Sequence, residues 1–520
     1  MTISEMLAKN ASLFPNDIAL IELSPDEGKR HDITWREFDD RANRLANALI
    51  DRGIKKGDKV IQLMRNSINW LEVYFGIIRT GAWVVPLNFR FTSTDIRSCA
   101  EISEAKMMIM DNEFIERVDQ VKPQLMTIKD YFISGDNVPE GWGKLEEIMA
   151  QSSLERVPVI VNESDECGLY FTSGTTGAPK PILLTHSNME CAAIAEQAHH
   201  QQTKEDNFIL IPPLYHAGAK MHWFGSLLVG GRATLLKKVT PQIIFEAVHK
   251  EKGTIVWLLV PWAHDVLSAL DRGELRKEDY DLSCWRLMHI GAQPVPPSLV
   301  LRWRNYFPDM QYDNNYGLSE STGPGCVHLG LENKNKVDSI GKAGFGWEIR
   351  VVNDKGRDVA RGEVGELIVK GCGVMKEYYK NPELTSQTIK NGWLYTGDMA
   401  KLDEEGFVYL VDRKKDVVIC GGENVYPVEV EEVLHHHPKV YDVAVIGVPD
   451  ERLGEIVAAV INPKPGVDLT KDEINSYCDQ QLPRYKRPRI VIFDKVPRSP
   501  TGKLEKPKLR QKYCGRQTII

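Results

Sequence analysis

Short apolar runs alternate along the chain with longer stretches whose apolar positions recur every three or four residues. The runs KVIQLM near 59, AKMMIMD near 105, NFILIPP near 207, ATLLKK near 233 and TIVWLLVP near 254 predict buried strands. Between them, ITWREFDDRANRLANALIDRG and PQIIFEAVHKEKG space their apolar residues at the helical period. Strand and helix in alternation predict an α/β fold of parallel sheets covered by helices on both faces.

From about 340 the texture changes. GWEIRVVND, GEVGELIVKG and GFVYLVDR, separated by Gly-rich or charged turns, predict a small, mainly antiparallel β-subdomain over about 340–412. After Asp412, helix-like PVEVEEVLHHHP, strand-like DVAVIGVPD and AAVINPK, and helix-like TKDEINSYCDQQL predict a separate α+β lobe. The expected organisation is a large N-terminal domain over 1–412, built of two parallel-type αβ subdomains plus the β-subdomain. A hinge at 413–415 and a small C-terminal domain over 416–520 complete it.

At 520 residues the chain is too long for one core, and 42% hydrophobic with 26% charged residues excludes disorder for its body. A net charge of -7 gives no reason to expect nucleic acid as a partner. The nine cysteines are scattered and never spaced CxxC, so neither a disulfide framework nor a structural zinc is expected, and a reducing compartment is the simplest setting. MTISEMLAKNASLF lacks a basic segment followed by an apolar run, and no stretch of about 18 apolar residues occurs. A cytoplasmic protein without an integral membrane segment is the expectation; oligomeric state is not readable.

Candidate chemistry begins at YFTSGTTGAPK, residues 170–180. Its Gly174 and Gly177 free the backbone to turn N–H groups inward, while Thr172, Ser173, Thr175, Thr176 and Lys180 add donors, which makes an anion cradle. The lysine does not follow the Walker A spacing. Taken alone, a Ser/Thr/Gly-rich surface linker is also compatible with this composition.

Read with YGLSE at 316, YTGD at 395, DRKKDVVICGGENVYP at 412 and PRSPTGK at 497, the segment resembles the adenylate-forming superfamily, in particular its acyl-CoA synthetase branch. The likeness runs from ITWREF at 33 to the terminal lysine segment. It implies ATP, Mg²⁺ and coenzyme A as cofactors and a small carboxylic acid as substrate. Lys503 would bridge the carboxylate and α-phosphate, and Glu320 would hold Mg²⁺. Asn314, Asn315, Tyr316, Gly317 and Ser319 would surround adenine, with Gly291, Ala292 and Gln293 of HIGAQPV lining its slot. Asp398 would accept from the ribose hydroxyls, Arg413 would reinforce ribose or phosphate, and Lys415 would be the pivot of a mobile C-terminal lid. Gly421 and Gly422 would leave room for the thiol arm of coenzyme A. Tyr485, Lys486, Arg487 and Arg489 could meet its adenine and 3′-phosphate, or form a solvated charged face.

His216 in PPLYHAGA stands where amine-selecting relatives place an acidic group, which points to an acid substrate without an amine; a core histidine is the other reading. Met221 and Trp223 in AGAKMHWFG would fill an acyl pocket and favour an aryl, alicyclic or medium-chain acid, while Lys220 and His222 mark a polar tail or face solvent. Pro181, where the family commonly has Gly, would stiffen the exit of the phosphate loop. The expected activity is ATP-dependent acid:CoA ligation through an acyl-adenylate. A carrier-protein pantetheine in trans is the nearest alternative acceptor, a luciferase-like oxygenase a further one, and a non-catalytic nucleotide-binding scaffold the alternative of another class.

Overall fold

The helix Trp35–Asp51 shows how the pattern becomes structure. Thr34 Oγ1 accepts from the Glu37 N–H and the Glu37 carboxylate accepts from the Thr34 N–H at 2.8 Å, a capping box that starts the helix. Trp35, Phe38, Ala42, Leu45 and Leu49 then fall on one buried stripe. This stripe packs on the helix Ile68–Arg79 at Gly76, where a Cβ would stand 2.7 Å from Leu45, so the two backbones approach only because glycine is there.

The computed structural model describes residues 1–173, 179–291, 293–498 and 504–514. Two large sheets dominate. One runs, in spatial order, Gln311–Asn314, Leu287–Gly291, Ile255–Leu259, Asn207–Leu210, Arg232–Leu236, Ile18–Ser24 and Lys29–Thr34, parallel except for the last pair. The other has Trp83–Pro86, Lys59–Leu63, Met107–Asp111, Asp130–Ser134 and Gly143–Lys144 as its parallel part. Its edge turns antiparallel through Glu166–Ser173, Pro179–Thr185 and Glu377–Tyr378. One continuous core cluster takes side chains from both sheets and from the helices around them. The five apolar runs are all strands, as their patterning predicts; TIVWLLVP stops at Leu259 because Pro261 opens the helix Val260–Asp271.

Trp347–Val352, Gly365–Gly371, Ile389–Lys390, Trp393–Leu402 and Val408–Arg413 form a separate antiparallel sheet. Glu377–Tyr378 leaves this region to extend the eight-stranded sheet, so the stretch between 340 and 412 serves two sheets. After Asp412, Val440–Asp450 and Gly454–Pro463 pair along their length, with the helices Pro427–His435 and Lys471–Gln481 bearing on a core of their own.

One expectation is corrected. Cys191, on the helix His186–His200, is disulfide-bonded to Cys372, just after Gly365–Gly371, with Cα atoms 5.8 Å apart; the other seven cysteines are free. A separation of 181 residues leaves no local spacing to read, and only tertiary packing brings the pair together. Asn188 reinforces the same junction by donating to the Cys372 and Val374 carbonyls.

Candidate active site

The flanks of the anion cradle form an antiparallel hairpin in which Thr172 opposes Lys180 and Ser173 opposes Pro179. Gly174, Thr175, Thr176 and Gly177 lie outside the described residues. Pro181 falls inside the strand Pro179–Thr185, opposite Phe171, and its carbonyl accepts from the Tyr379 N–H at 2.9 Å. Lys180 Nζ lies 5.6 Å from the centroid of the Tyr378 ring. The Tyr378 hydroxyl in turn donates to Glu320 Oε1 at 2.9 Å, and the Met375 N–H donates to the Glu320 carbonyl at 2.8 Å. Burial first, then the Glu320 charge, pushes the Tyr378 phenol far up, so it stays a donor. Lysine, tyrosine and carboxylate thus meet at the mouth of the hairpin, and a hard carboxylate beside a phosphate cradle suits Mg²⁺.

Asp398, expected at the ribose, occupies the bend that Gly397 makes at φ 72°, a conformation glycine adopts without steric cost. Asp398 is buried and accepts from the Tyr316 hydroxyl, while Arg413, its direct cross-strand neighbour, ion-pairs with it. Burial works against the Arg413 charge, but Asp398, then Tyr316 and Glu320, outweigh it and hold the guanidinium pKa above its ordinary value. Gly317 lies where a Cβ would be 2.4 Å from the Gly323 carbonyl oxygen, so a side chain there would break the hairpin. Ser319 opens the turn Ser319–Ser321 that carries Glu320.

Asn314, expected beside the adenine amino group, is buried at the end of the strand Gln311–Asn314. Its side-chain amide donates to the Ser339 carbonyl at 3.1 Å within the interior. Asn315 donates to Asp313. Gly291 ends a core strand, with Asn315 O 3.5 Å from where its Cβ would be. The Gln293 carboxamide oxygen is shielded from solvent and has no hydrogen-bond partner among the described residues, which leaves an acceptor unused. Ala292 is outside the described residues.

His216 immediately precedes the helix Ala217–Val229, half-buried, its ring centroid 4.4 Å from that of Tyr215. Lys220 and His222 are both buried, which overturns the solvent-facing alternative. Lys220 Nζ donates to the Leu214 carbonyl at 2.7 Å and to that of His216 at 3.1 Å. Met221 and Trp223 belong to the main core, Trp223 edge-on to Phe75. On the helix's other side Trp257 lies over Gly218, 3.4 Å from where its Cβ would stand, and 4.5 Å from the His222 ring.

Near the end of the strand Val408–Arg413, Asp412 accepts from the Arg413 N–H at 2.7 Å and from the Val428 N–H, in the first turn of Pro427–His435, at 2.9 Å. Burial, opposed by Lys506, raises its carboxyl to about 6. Solvent reaches much of the Lys415 side chain, yet partial desolvation, then Arg413, Arg510 and Lys180, pull its ammonium pKa below the ordinary value against Asp416. Gly421 and Gly422 both take positive φ, 62° and 90°. Tyr485 is exposed, but Arg487 is spoken for by Asp479 and the Leu482 carbonyl, and Lys486 by Glu429, so two cations of that patch are paired within their own lobe. Lys503 lies outside the described residues. Tyr378 carried no local signal: its value comes from a tertiary contact with Glu320 that no spacing in KEYYKNP announces.

The AMP-binding enzyme family matches residues 7–379, and the AMP-binding enzyme C-terminal domain matches 429–503. The chain belongs to the AMP-binding enzymes. A feruloyl-CoA synthase from an Amycolatopsis species is 34% identical over 486 residues, covering 92% of this chain and 94% of that protein. A long-chain-fatty-acid–CoA ligase of Mycobacterium tuberculosis is 31% identical, covering 98% of each. Among solved structures, ATP-bound MatB from Rhodopseudomonas palustris superposes with a TM-score of 0.88 at 27% identity, over 99% of each chain. This AMP-binding enzyme is an acyl-CoA synthetase of the adenylate-forming superfamily, and its cofactors are ATP, Mg²⁺ and coenzyme A. Among the described residues no helix is long and apolar enough to cross a membrane.

Proposed function

We propose that this AMP-binding enzyme joins a compact carboxylic acid, of the aryl, alicyclic or medium-chain class, to coenzyme A in two steps. The acid attacks the α-phosphate of ATP, forming acyl-AMP and releasing pyrophosphate; the thiol of coenzyme A then attacks the acyl carbon and AMP leaves. The observation that carries this reading is the convergence of Lys180, Tyr378 and Glu320 at the cradle with Tyr316, Asp398 and Arg413 on its adenine side.

In this reading Asp398 accepts from the ribose hydroxyls, Arg413 and Lys180 face phosphate charge, and Gln293 offers its unused acceptor to the adenine amino group. Glu320, fixed by Tyr378, holds Mg²⁺, which when bound neutralises phosphate charge. Lys503 supplies a second cation to the developing charge of the first step. The lobe after Asp412 pivots near Lys415 for the second step, carrying Gly421 and Gly422 to the thiol path. The compact acid rests on the expectation that the segment after His216 lines the acyl pocket, where Trp257 lies against Gly218.

Two experiments test this. K503A is expected to lower acyl-adenylate formation by about 10² to 10⁴ while thioester formation from supplied acyl-AMP survives; equal loss in both half-reactions defeats the division of labour. A panel of carboxylic acids in a pyrophosphate-release assay is expected to favour ring-bearing and medium-chain acids, and a preference for long-chain fatty acids removes the compact-pocket reading.

A further inference from the structure

Behind the strand ends that carry Gly291 and Asn314, five buried polar side chains converge from four elements. Glu196 and His200 lie one turn apart on His186–His200, His222 comes from Ala217–Val229, His289 from Leu287–Gly291 and Asp313 from Gln311–Asn314. Glu196, His289 and Asp313 are fully buried, and His200 and His222 nearly so. No lysine or arginine among the described residues pairs with either carboxylate. Two carboxylates out of water need cationic compensation from within the cluster or from an ion.

The directions of the side chains favour an ion. His200 Nε2 is hydrogen-bonded to Asp313 Oδ2 at 2.8 Å, so its proton sits there and Nδ1 faces Glu196 Oε2, 2.9 Å away. His289 has Nδ1 3.4 Å from the Asn315 amide nitrogen and 3.5 Å from Asp313 Oδ2, and Nε2 3.7 Å from Glu196 Oε2. His222 Nδ1 is 2.7 Å from Glu196 Oε1. Yet neither Glu196 oxygen, nor His200 Nδ1, His222 Nδ1 or His289 Nε2, makes a hydrogen bond of acceptable angle. These atoms are close together without pointing at one another, and the ligand atoms of Glu196, His200 and His289 all lie within 4.8 Å of each other. Unpaired donors gathered this closely, with the far nitrogen of His200 bonded to an outer carboxylate, are the arrangement of a histidine-ligated metal.

We propose that Glu196, His200 and His289 bind one divalent transition-metal ion of the Zn²⁺ class, with His222 beside Glu196 and Asp313 as the outer acceptor that orients His200. Two imidazole ligands exclude Mg²⁺ and Ca²⁺ as the natural occupants, since those ions take oxygen ligands. A dication with neutral imidazoles cancels both carboxylate charges. The ion ties the helix His186–His200 to the strand ends beneath the nucleotide site, separate from the Mg²⁺ site proposed at Glu320, and its role is to hold that floor in register.

The test uses the full-length protein, dialysed against chelator, loaded with Co²⁺ and desalted. Wild type and E320Q are expected to retain about one equivalent of Co²⁺ with the intense visible bands of a four-coordinate, nitrogen-ligated ion, displaced stoichiometrically by Zn²⁺. E196Q and H289Q are expected to retain at least about tenfold less. Wild type that retains no Co²⁺ and whose Tm neither Co²⁺ nor Zn²⁺ shifts overturns the proposal and makes the cluster a network of imidazoliums and carboxylates. Equal retention in E196Q and H289Q overturns it as well. If both variants fail to fold, the wild-type spectrum decides, and weak bands of oxygen-only coordination count against the site.

Discussion

The Tyr378 hydroxyl donates to Glu320 Oε1 at 2.9 Å, so an edge strand of the eight-stranded sheet fixes the turn that carries the candidate magnesium ligand. A hydrogen bond to a charged carboxylate contributes about 1.5–3 kcal/mol, enough to hold one rotamer. Tyr378→Phe keeps the ring beside Lys180 and removes only the donor. It is expected to lower kcat/KM for acyl-adenylate formation by about tenfold and to raise the Mg²⁺ concentration at half-maximal rate. Pyrophosphate exchange across a Mg²⁺ titration measures both, and an unmoved Mg²⁺ dependence separates Glu320 from the metal.

Asp398 is the hub of a three-residue cluster with Tyr316 and Arg413. Asp398→Asn preserves shape and removes the charge, leaving Arg413 facing a neutral amide that cannot accept from both ribose hydroxyls and the guanidinium. The KM for ATP is expected to rise about tenfold or more, with the KM for the acid little changed, in steady-state kinetics with each substrate varied. A parallel rise in both would place Asp398 in general scaffolding and not at ribose.

Strands and helices were readable where one period persisted: a capping box and a stripe at 35, 38, 42, 45 and 49 announce a helix without reference to anything distant. Tyr316, Asp398 and Arg413 each sit on a short fragment of distinctive composition, and the fold brings the three together. What local pattern could not carry was pairing across the fold. The Cys191–Cys372 bond, the Tyr378–Glu320 contact and the convergence of Glu196, His200, His222, His289 and Asp313 each join residues from separate elements. The hydrogen bond from the Asn314 amide to the Ser339 carbonyl is another such pairing that no local spacing announces.

His186 opens the helix His186–His200 fully buried, with neither ring nitrogen hydrogen-bonded among the described residues. Burial pulls its pKa down to about 4 from an ordinary 6.5, Asp165 and Glu5 opposing and Lys56 assisting. Between those values the unfolded chain takes up a proton that the folded one refuses. Stability from this group is therefore complete above about pH 6.5 and falls as pH drops toward 4, by about 3 kcal/mol in total. His186→Leu removes the titration. The difference in unfolding free energy between wild type and variant, measured by denaturant melts from pH 4 to 7, is expected to shift in the variant's favour as pH falls; a constant difference means the imidazole finds a way to stay protonated when folded.

Lys220 presents the same kind of charge problem at higher pH. Its Nζ donates to the carbonyls of Leu214 and His216 and lies 4.8 to 5.4 Å from the ring centroids of Trp70, Tyr74 and Tyr170. Burial lowers its pKa well below 10.5. Lys220→Met keeps the stem and strips the donors from the turn that carries His216, so kcat/KM for the acid is expected to fall about tenfold with the KM for ATP unchanged. The stability comparison decides the charge. With a lowered folded pKa, the unfolded lysine binds the extra proton, so wild type gains stability as pH rises toward 10.5 while the methionine variant does not. Denaturant melts from pH 7 to 9.5 are expected to show that gain; a flat difference would mean that the three aromatic faces hold Lys220 as a cation, and that desolvation loses to the rings.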